Sequence, residues 1–197
     1  CISAETDFVS NNAEFVTFVK TIANAAIENN IQTAEELNKV TIGSETVADM
    51  VNDKLASIGE KIGITRFERV NAPFVASYIH GSNRMGVLVA LTKEAAEAGK
   101  DVAMQIAAMN PLAVDESSIA PETIAREREI AIEQIKAEGK PAEMAEKIAV
   151  GKVNKFLKDN TLIHQPFVKD ASKTVADYLK SIDVDLKVTS FVRVALG

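Results

Sequence analysis

Apolar residues recur at helical spacing through the first third of the chain, and then the period changes. Phe15, Phe18, Val19, Ile22 and Ala26 share one face of a 3.6-residue repeat, which predicts an amphipathic helix over roughly 12–29. Asn11, with Glu14 three residues on, reads as its capping box. Thr33 and Glu36 repeat that pattern for a short helix. Ser44 reads as the cap of a third helix that turns Val47, Met50, Val51, Leu55 and Ile58 inward. From Ile62 the period shortens to two. Ile62, Ile64, Thr65, Phe67 and Val70 form a β-like run closed by Asn71-Ala72-Pro73. Phe74–Ile79 and Met85–Leu91 read as two more strands about a turn at His80-Gly81-Ser82-Asn83, and Cys1–Ala4 as a short strand. Met85–Leu91 is almost wholly apolar, as expected of a central strand covered on both faces. Three successive strands with short turns predict an antiparallel meander under the preceding helices.

A second unit starts near Thr92. Residues 94–109 read as an Ala- and Met-rich helix stopped by Asn110-Pro111, and Pro121 suits the first position of another. Ile124, Ala131 and Ile135 make one narrow stripe. After a break at Gly139-Lys140-Pro141, Met144, Ile148 and Phe156 make a second, so an antiparallel helical hairpin is expected. Ser172 reads as the cap of a last helix with Val175, Leu179 and Ile182 inward, and alternation from Val188 to Leu196 predicts a final strand. The expected fold is α+β in two subdomains, 1–92 and 93–197. Each is a small antiparallel sheet covered by helices, and a hairpin arm is inserted at about 121–158.

Composition narrows the function. A net charge of −6 argues against direct nucleic-acid binding, which draws most of its affinity from a basic face. The longest apolar run, Val87–Leu91, is far too short to span a bilayer, so no membrane partner is expected. One cysteine, Cys1, allows no internal disulfide and no cysteine metal cluster, which fits a reducing cytoplasm. Phosphate loops, nucleophile elbows and calcium loops are absent from the sequence, and His80 and His164 are far apart in it. No metal, cofactor or catalytic residue is therefore expected. A Cys1–His80 nucleophile pair is disfavoured against Cys1 packing as a small apolar residue in a strand.

Two segments stand out. In Thr6-Asp7-Phe8, Phe8 is either the anchor of the helix that follows or an exposed aromatic awaiting a partner. Asp7 beside it suits an Asx-type turn in either case. The loop His80–Gly86 is either a partner-facing turn with Met85 and Gly86 at its edge or an ordinary hairpin. Gln105 reads most simply as a boundary residue on its helix.

Five motifs in register resemble translation elongation factor Ts: Thr6-Asp7-Phe8-Val9, HGSNRMGVLV, AMQIAAMNP, GKPAEMAEKIAVGKVNKF, and QPFV with SKTV behind it. Together they run from Glu5 to Leu196. The resemblance implies a cytoplasmic guanine-nucleotide exchange factor for the GTPase elongation factor Tu rather than an enzyme. Its fold would be two subdomains with a helical-hairpin arm. It implies that Phe8 wedges into the GTPase domain with Asp7 as a neighbouring contact, and that Met85 and Gly86 also touch the GTPase. It places Gln105 where the family usually carries a partner-contacting histidine, and gives the second subdomain the GTPase's more distant β-domain. Members begin with a small helical module that nothing before Cys1 supplies, so weaker exchange than by an intact factor is expected. A hydrolase built on His80 and a self-associating module are the rival readings.

Overall fold

The computed structural model describes residues 1–196; Gly197, the end of the second expected subdomain, lies outside them. The fold is α+β. It divides into two compact units, each discontinuous in sequence. One comprises Cys1–Arg69, Ile79–Gly86 and the described residues from Val194 on, the other Val70–Tyr78 and Val87–Arg193.

In the first unit, β1 (Ile2–Ser3) precedes a single helical turn, α1 (Asp7–Ser10), and a long helix, α2 (Ala13–Glu28). Phe15, Phe18, Ile22, Ala25 and Ala26 of α2 are buried, following the 3.6-residue stripe. Its cap is Asn12 rather than Asn11. The Asn12 side chain accepts from the Glu14 and Phe15 N–H groups, while Asn11 closes α1 one residue earlier. Helix α3 (Ala34–Lys39) starts at Thr33, whose hydroxyl accepts from Glu36 N–H, but the Glu36 carboxylate reaches past the cap to Gln32 N–H. The two-residue strands β2 (Thr41–Ile42) and β3 (Glu45–Thr46) pair about a turn at Gly43-Ser44. That turn consumes Ser44, so Thr46 caps α4 (Val47–Ile58) instead, accepting from Asp49 N–H and donating to its carboxylate at 2.6 Å. Val47 and Val51 of α4 complete the core with Leu37, Val40 and Ile62.

The β-like run from Ile62 corrects one expectation. Only Gly63–Ile64 forms a strand, β4, and it pairs with β1 in register Ile2↔Ile64 and Ser3↔Gly63. Beyond it the chain leaves the ladder, and Ile62, Ile64 and Phe67 serve the helical core instead. The larger sheet is β5 (Phe74–His80), β6 (Met85–Leu91) and β9 (Val188–Ala195), in the order β5-β6-β9. Leu196 N–H donates to Arg84 O at one end and Thr92 N–H to Lys187 O at the other, so β9 runs antiparallel to β6. Strand β6 is central as its apolar run predicts, with Val87, Val89, Ala90 and Leu91 buried.

In the second unit, α5 (Ala96–Met109) buries Val102, Ala103 and Ile106 and ends at Asn110 in the left-handed region. Helices α6 (Pro121–Ala137) and α7 (Ala142–Asn160) form the expected hairpin, with Pro121 opening the first. Its seam is finer than the predicted stripes. Ala131, Ile135, Ala145 and Ala149 are buried against one another, whereas Met144 faces solvent. Nearer the hairpin's base, Ile124 and Phe156 pack with Ala113, Ile119 and Leu157. Strands β7 (Pro166–Phe167) and β8 (Asp170–Thr174) pair antiparallel. Helix α8 (Val175–Ile182) is capped by Thr174, not Ser172, in a full capping box with Asp177; Ser172 donates to Asp170 instead.

Candidate functional site

Phe8 is 91% exposed, although α2 with its apolar stripe begins five residues later. The backbone explains this. Val9, the next residue, packs onto the first core, and a single helical turn then points Phe8 away from it. Leaving a phenylalanine in water forgoes about 1.5–3 kcal/mol of burial. The side chain is nonetheless not on a loose loop.

Three tethers hold the turn. The Asp7 carboxylate accepts from Arg84 Nε at 3.1 Å and from Arg84 Nη2 at 3.0 and 2.8 Å, a bidentate pair. Asn83 Nδ2 donates to Ser10 O at 3.0 Å and to Asn11 Oδ1 at 3.4 Å. At the entry to the turn, the Glu60 carboxylate accepts from Thr6 N–H at 3.1 Å and from the Thr6 hydroxyl at 2.7 and 3.0 Å.

The hairpin tip that supplies Arg84 and Asn83 has unusual backbone geometry. Gly81, Ser82 and Asn83 all have positive φ, at 60°, 53° and 66°. Glycine accepts this freely and asparagine readily, but serine does so at a cost of roughly 1–2 kcal/mol. Asn83 and Arg84, at the end of this tip, bond to the Asp7–Asn11 segment and so fix the tip against it. The Arg84 guanidinium is raised above its ordinary value, chiefly by its bond to Asp7.

Met85 and Gly86 are half-buried at the start of β6. A Cβ at Gly86 would begin 3.4 Å from Ile79 Cδ1, at the edge of ordinary van der Waals contact. Ile79 is itself 60% exposed. Of the residues predicted from the sequence, Asp7, Phe8, Met85 and Gly86 thus belong to the first unit, where Arg84 ties the two segments together.

Gln105 lies in the second unit and is fully buried, correcting its reading as a boundary residue. Its Nε2 donates to Gln165 Oε1 at 3.2 Å and Pro166 O at 3.1 Å, and its Oε1 accepts from Val168 N–H at 2.8 Å. Both N–H groups are committed within the protein, so the side chain could donate to a partner only by breaking an internal bond. Cys1 also departs from expectation: it is exposed and not packed in a strand.

Sequence reasoning missed Glu60 and the linking roles of Arg84 and Asn83. No sequence pattern points to Glu60; only the observed register, carried past Ser3↔Gly63, brings Thr6 opposite it. Among the described residues, no group of three or more His, Cys, Asp or Glu could hold a metal ion, and no helix is long and apolar enough to cross a membrane.

Comparison with known proteins adds to this geometry. A family model described as Elongation factor TS matches residues 5–197. Elongation factor Ts of Christiangramia forsetii is 45% identical over 199 residues, covering 100% of this chain and 72% of that protein. The elongation factor Ts of Flavobacterium psychrophilum gives the same figures. That of Methylococcus capsulatus is 43% identical, with 100% of this chain and 67% of that protein covered.

Proposed function

This chain belongs to the elongation factor Ts family, and from that premise we propose that it is a cytoplasmic guanine-nucleotide exchange factor that binds elongation factor Tu and speeds GDP release during translation elongation. One observation carries the reading: an almost fully exposed phenylalanine on a turn tied down on both sides. An aromatic kept out of its own core but held in one orientation suits insertion into a partner, because little conformational freedom remains to be lost on binding.

In this proposal Phe8 is the wedge. It enters between helices of the GTPase domain and displaces the segments that hold Mg²⁺ and the phosphates. Asp7 keeps the wedge aimed through Arg84, while Met85 and Gly86 give the flanking contact surface. Gln105 is left out of the contacting set because its polar atoms are bonded internally. It acts instead by holding the Gln165–Val168 segment of the second unit.

The mechanism is negative linkage. A factor that binds the nucleotide-free GTPase more tightly than the GDP form must weaken GDP binding by the same factor by which GDP weakens its own. No proton transfer or covalent step is required of the chain. The test is stopped-flow release of a fluorescent GDP from elongation factor Tu, with wild type and Phe8→Ala. Wild type should accelerate release and Phe8→Ala should lose most of that acceleration, while melting stays within about 0.5 kcal/mol of wild type, as for an exposed position. Equal acceleration by both proteins would remove Phe8 from the role.

A further inference from the structure

We propose that Glu60 is the positioning residue for Phe8, an inference that rests on the exchange reading above and identifies what keeps the wedge ordered before it meets a partner. A four-residue helix is far below the length at which helices persist alone, and α1 has no buried residue. Its N-cap residue, Thr6, makes no side-chain cap. The Thr6 hydroxyl, which would ordinarily accept from the first turn, donates to Glu60 instead. The order of the turn therefore comes from outside it.

The β1–β4 register explains how Glu60 comes to be there. Ile2↔Ile64 and Ser3↔Gly63 set an antiparallel register that, carried past Ala4 opposite Ile62, brings Glu5 opposite Lys61 and Thr6 opposite Glu60. There the backbone separates and side chains continue the pairing. Lys61 N–H donates to Glu5 Oε2 at 3.2 Å, and Thr6 N–H donates to Glu60 Oε2 at 3.1 Å. The Glu5 carboxylate takes the place that its own backbone carbonyl would have held, and the Glu60 carboxylate captures a Thr6 N–H that lies at a non-hydrogen-bonded position of the register. The ladder can thus end in a helical turn without leaving the Thr6 N–H unpaired. Gly59 makes the approach feasible: its φ of 77° closes α4 and sends the chain back toward Thr6.

Arg84 and Asn83 grip the turn at Asp7, Ser10 and Asn11. Glu60 grips the residue through which the chain enters it, accepting from both donors of one threonine, its N–H and a hydroxyl shared between the two carboxylate oxygens. Without Glu60 the turn keeps its composition and its Arg84 contact but loses the anchor that fixes where Phe8 begins. Each binding event must then restore that order, so the loss falls on the factor concentration needed for exchange more than on the saturated rate.

The test compares wild type, Glu60→Ala, Thr6→Val and Thr6→Ser in the full chain. Amide hydrogen exchange at Ser10, Asn11 and Asn12 reads the turn directly, since these N–H groups donate to Thr6, Asp7 and Val9. Release of fluorescent GDP from elongation factor Tu across factor concentrations reads the consequence. Glu60→Ala and Thr6→Val should each lower protection of those three amides by roughly tenfold and leave protection of α2 unchanged. Both should raise the half-maximal factor concentration by roughly fivefold to tenfold with the saturated rate largely kept, and Thr6→Ser should behave as wild type. Unchanged protection in Glu60→Ala would overturn the inference, as would lost protection with an unaltered concentration dependence. A wild-type factor that leaves GDP release unaccelerated would instead refute the exchange reading, a result distinguishable from either.

Discussion

Arg84 holds the Asp7 carboxylate through Nε and Nη2 at 2.8–3.1 Å, across 77 positions of sequence. Both side chains are more than half exposed, so the pair adds little to stability. Its effect is geometric. The two-nitrogen fork fixes the direction of the hairpin tip relative to the turn that carries Phe8. Arg84→Ala should therefore shift the melting temperature by no more than about 2 °C. Its half-maximal concentration for GDP release should rise on the order of tenfold, and Arg84→Lys should recover only part of this, because an ammonium keeps the charge but not the fork.

Gln105 leads to the opposite expectation, a large effect on folding. Replacing it by leucine fills similar space but strands Val168 N–H, Pro166 O and Gln165 Oε1, whose partner it was. A cost of about 2–3 kcal/mol follows. Calorimetry should show a fall in melting temperature of roughly 5–10 °C. The amides around Val168 should lose protection before those of the first unit.

These two glutamine and arginine positions mark what could be read from the sequence. Apolar period located α2, α5, the helical hairpin and the central strand β6, because one buried face repeated over many residues leaves a strong imprint. Caps were found to within one or two residues. The misses at Asn11, Ser44 and Ser172 share a cause: two cap-competent residues lay close together, and a neighbouring turn had already taken one. The run Ile62–Val70 imitated a strand because alternating apolar residues also suit an irregular segment laid over a helical core. Phe8 could not be resolved from composition, since its exposure depends on where Val9 points. The partners of Asp7 and Thr6 lie 77 and 54 positions away, and no local pattern encodes such separations.

Tyr178 gives the pH dependence. Burial is the first cause that raises its hydroxyl above the ordinary 10.0; its bond to Asp101 at 2.8 Å and the charges of Asp101 and Glu97 add to it. The folded state thus holds this proton more tightly than the unfolded chain does. The contribution is fully present below pH 10.0 and is lost as pH rises through the elevated value. In ¹³C-tyrosine NMR, the Tyr178 resonance, assigned with Tyr178→Phe, should stay in its neutral position above pH 10 until the protein unfolds. Asp101→Asn should shrink the shift without abolishing it, because burial remains.

Glycine-to-alanine changes in two helices should have opposite signs. In an exposed helix, alanine is better than glycine by about 1 kcal/mol, since glycine loses more backbone freedom on folding. Gly151 of α7 meets that condition: a Cβ there would find no atom within 4 Å. Gly151→Ala should stabilise the protein by about 0.5–1 kcal/mol. Gly99 of α5 does not meet it. A Cβ there would collide with the Cβ of Ala76 on β5 and approach Leu91 Cδ1 of β6 to 3.0 Å. The Ala76 Cβ is fixed by strand backbone and cannot swing aside as a long side chain would. Ala76 and Leu91 are both buried, so the helix itself must lift from the sheet. Overpacking of this kind costs about 1–3 kcal/mol, which outweighs the helix-propensity gain. Gly99→Ala should therefore lower stability by about 1–2 kcal/mol in urea titration, and Gly99→Ser, no smaller, should not recover it. If both alanine variants stabilise, the close helix–strand contact at Gly99 is wrong. If both destabilise, the open surface at Gly151 is.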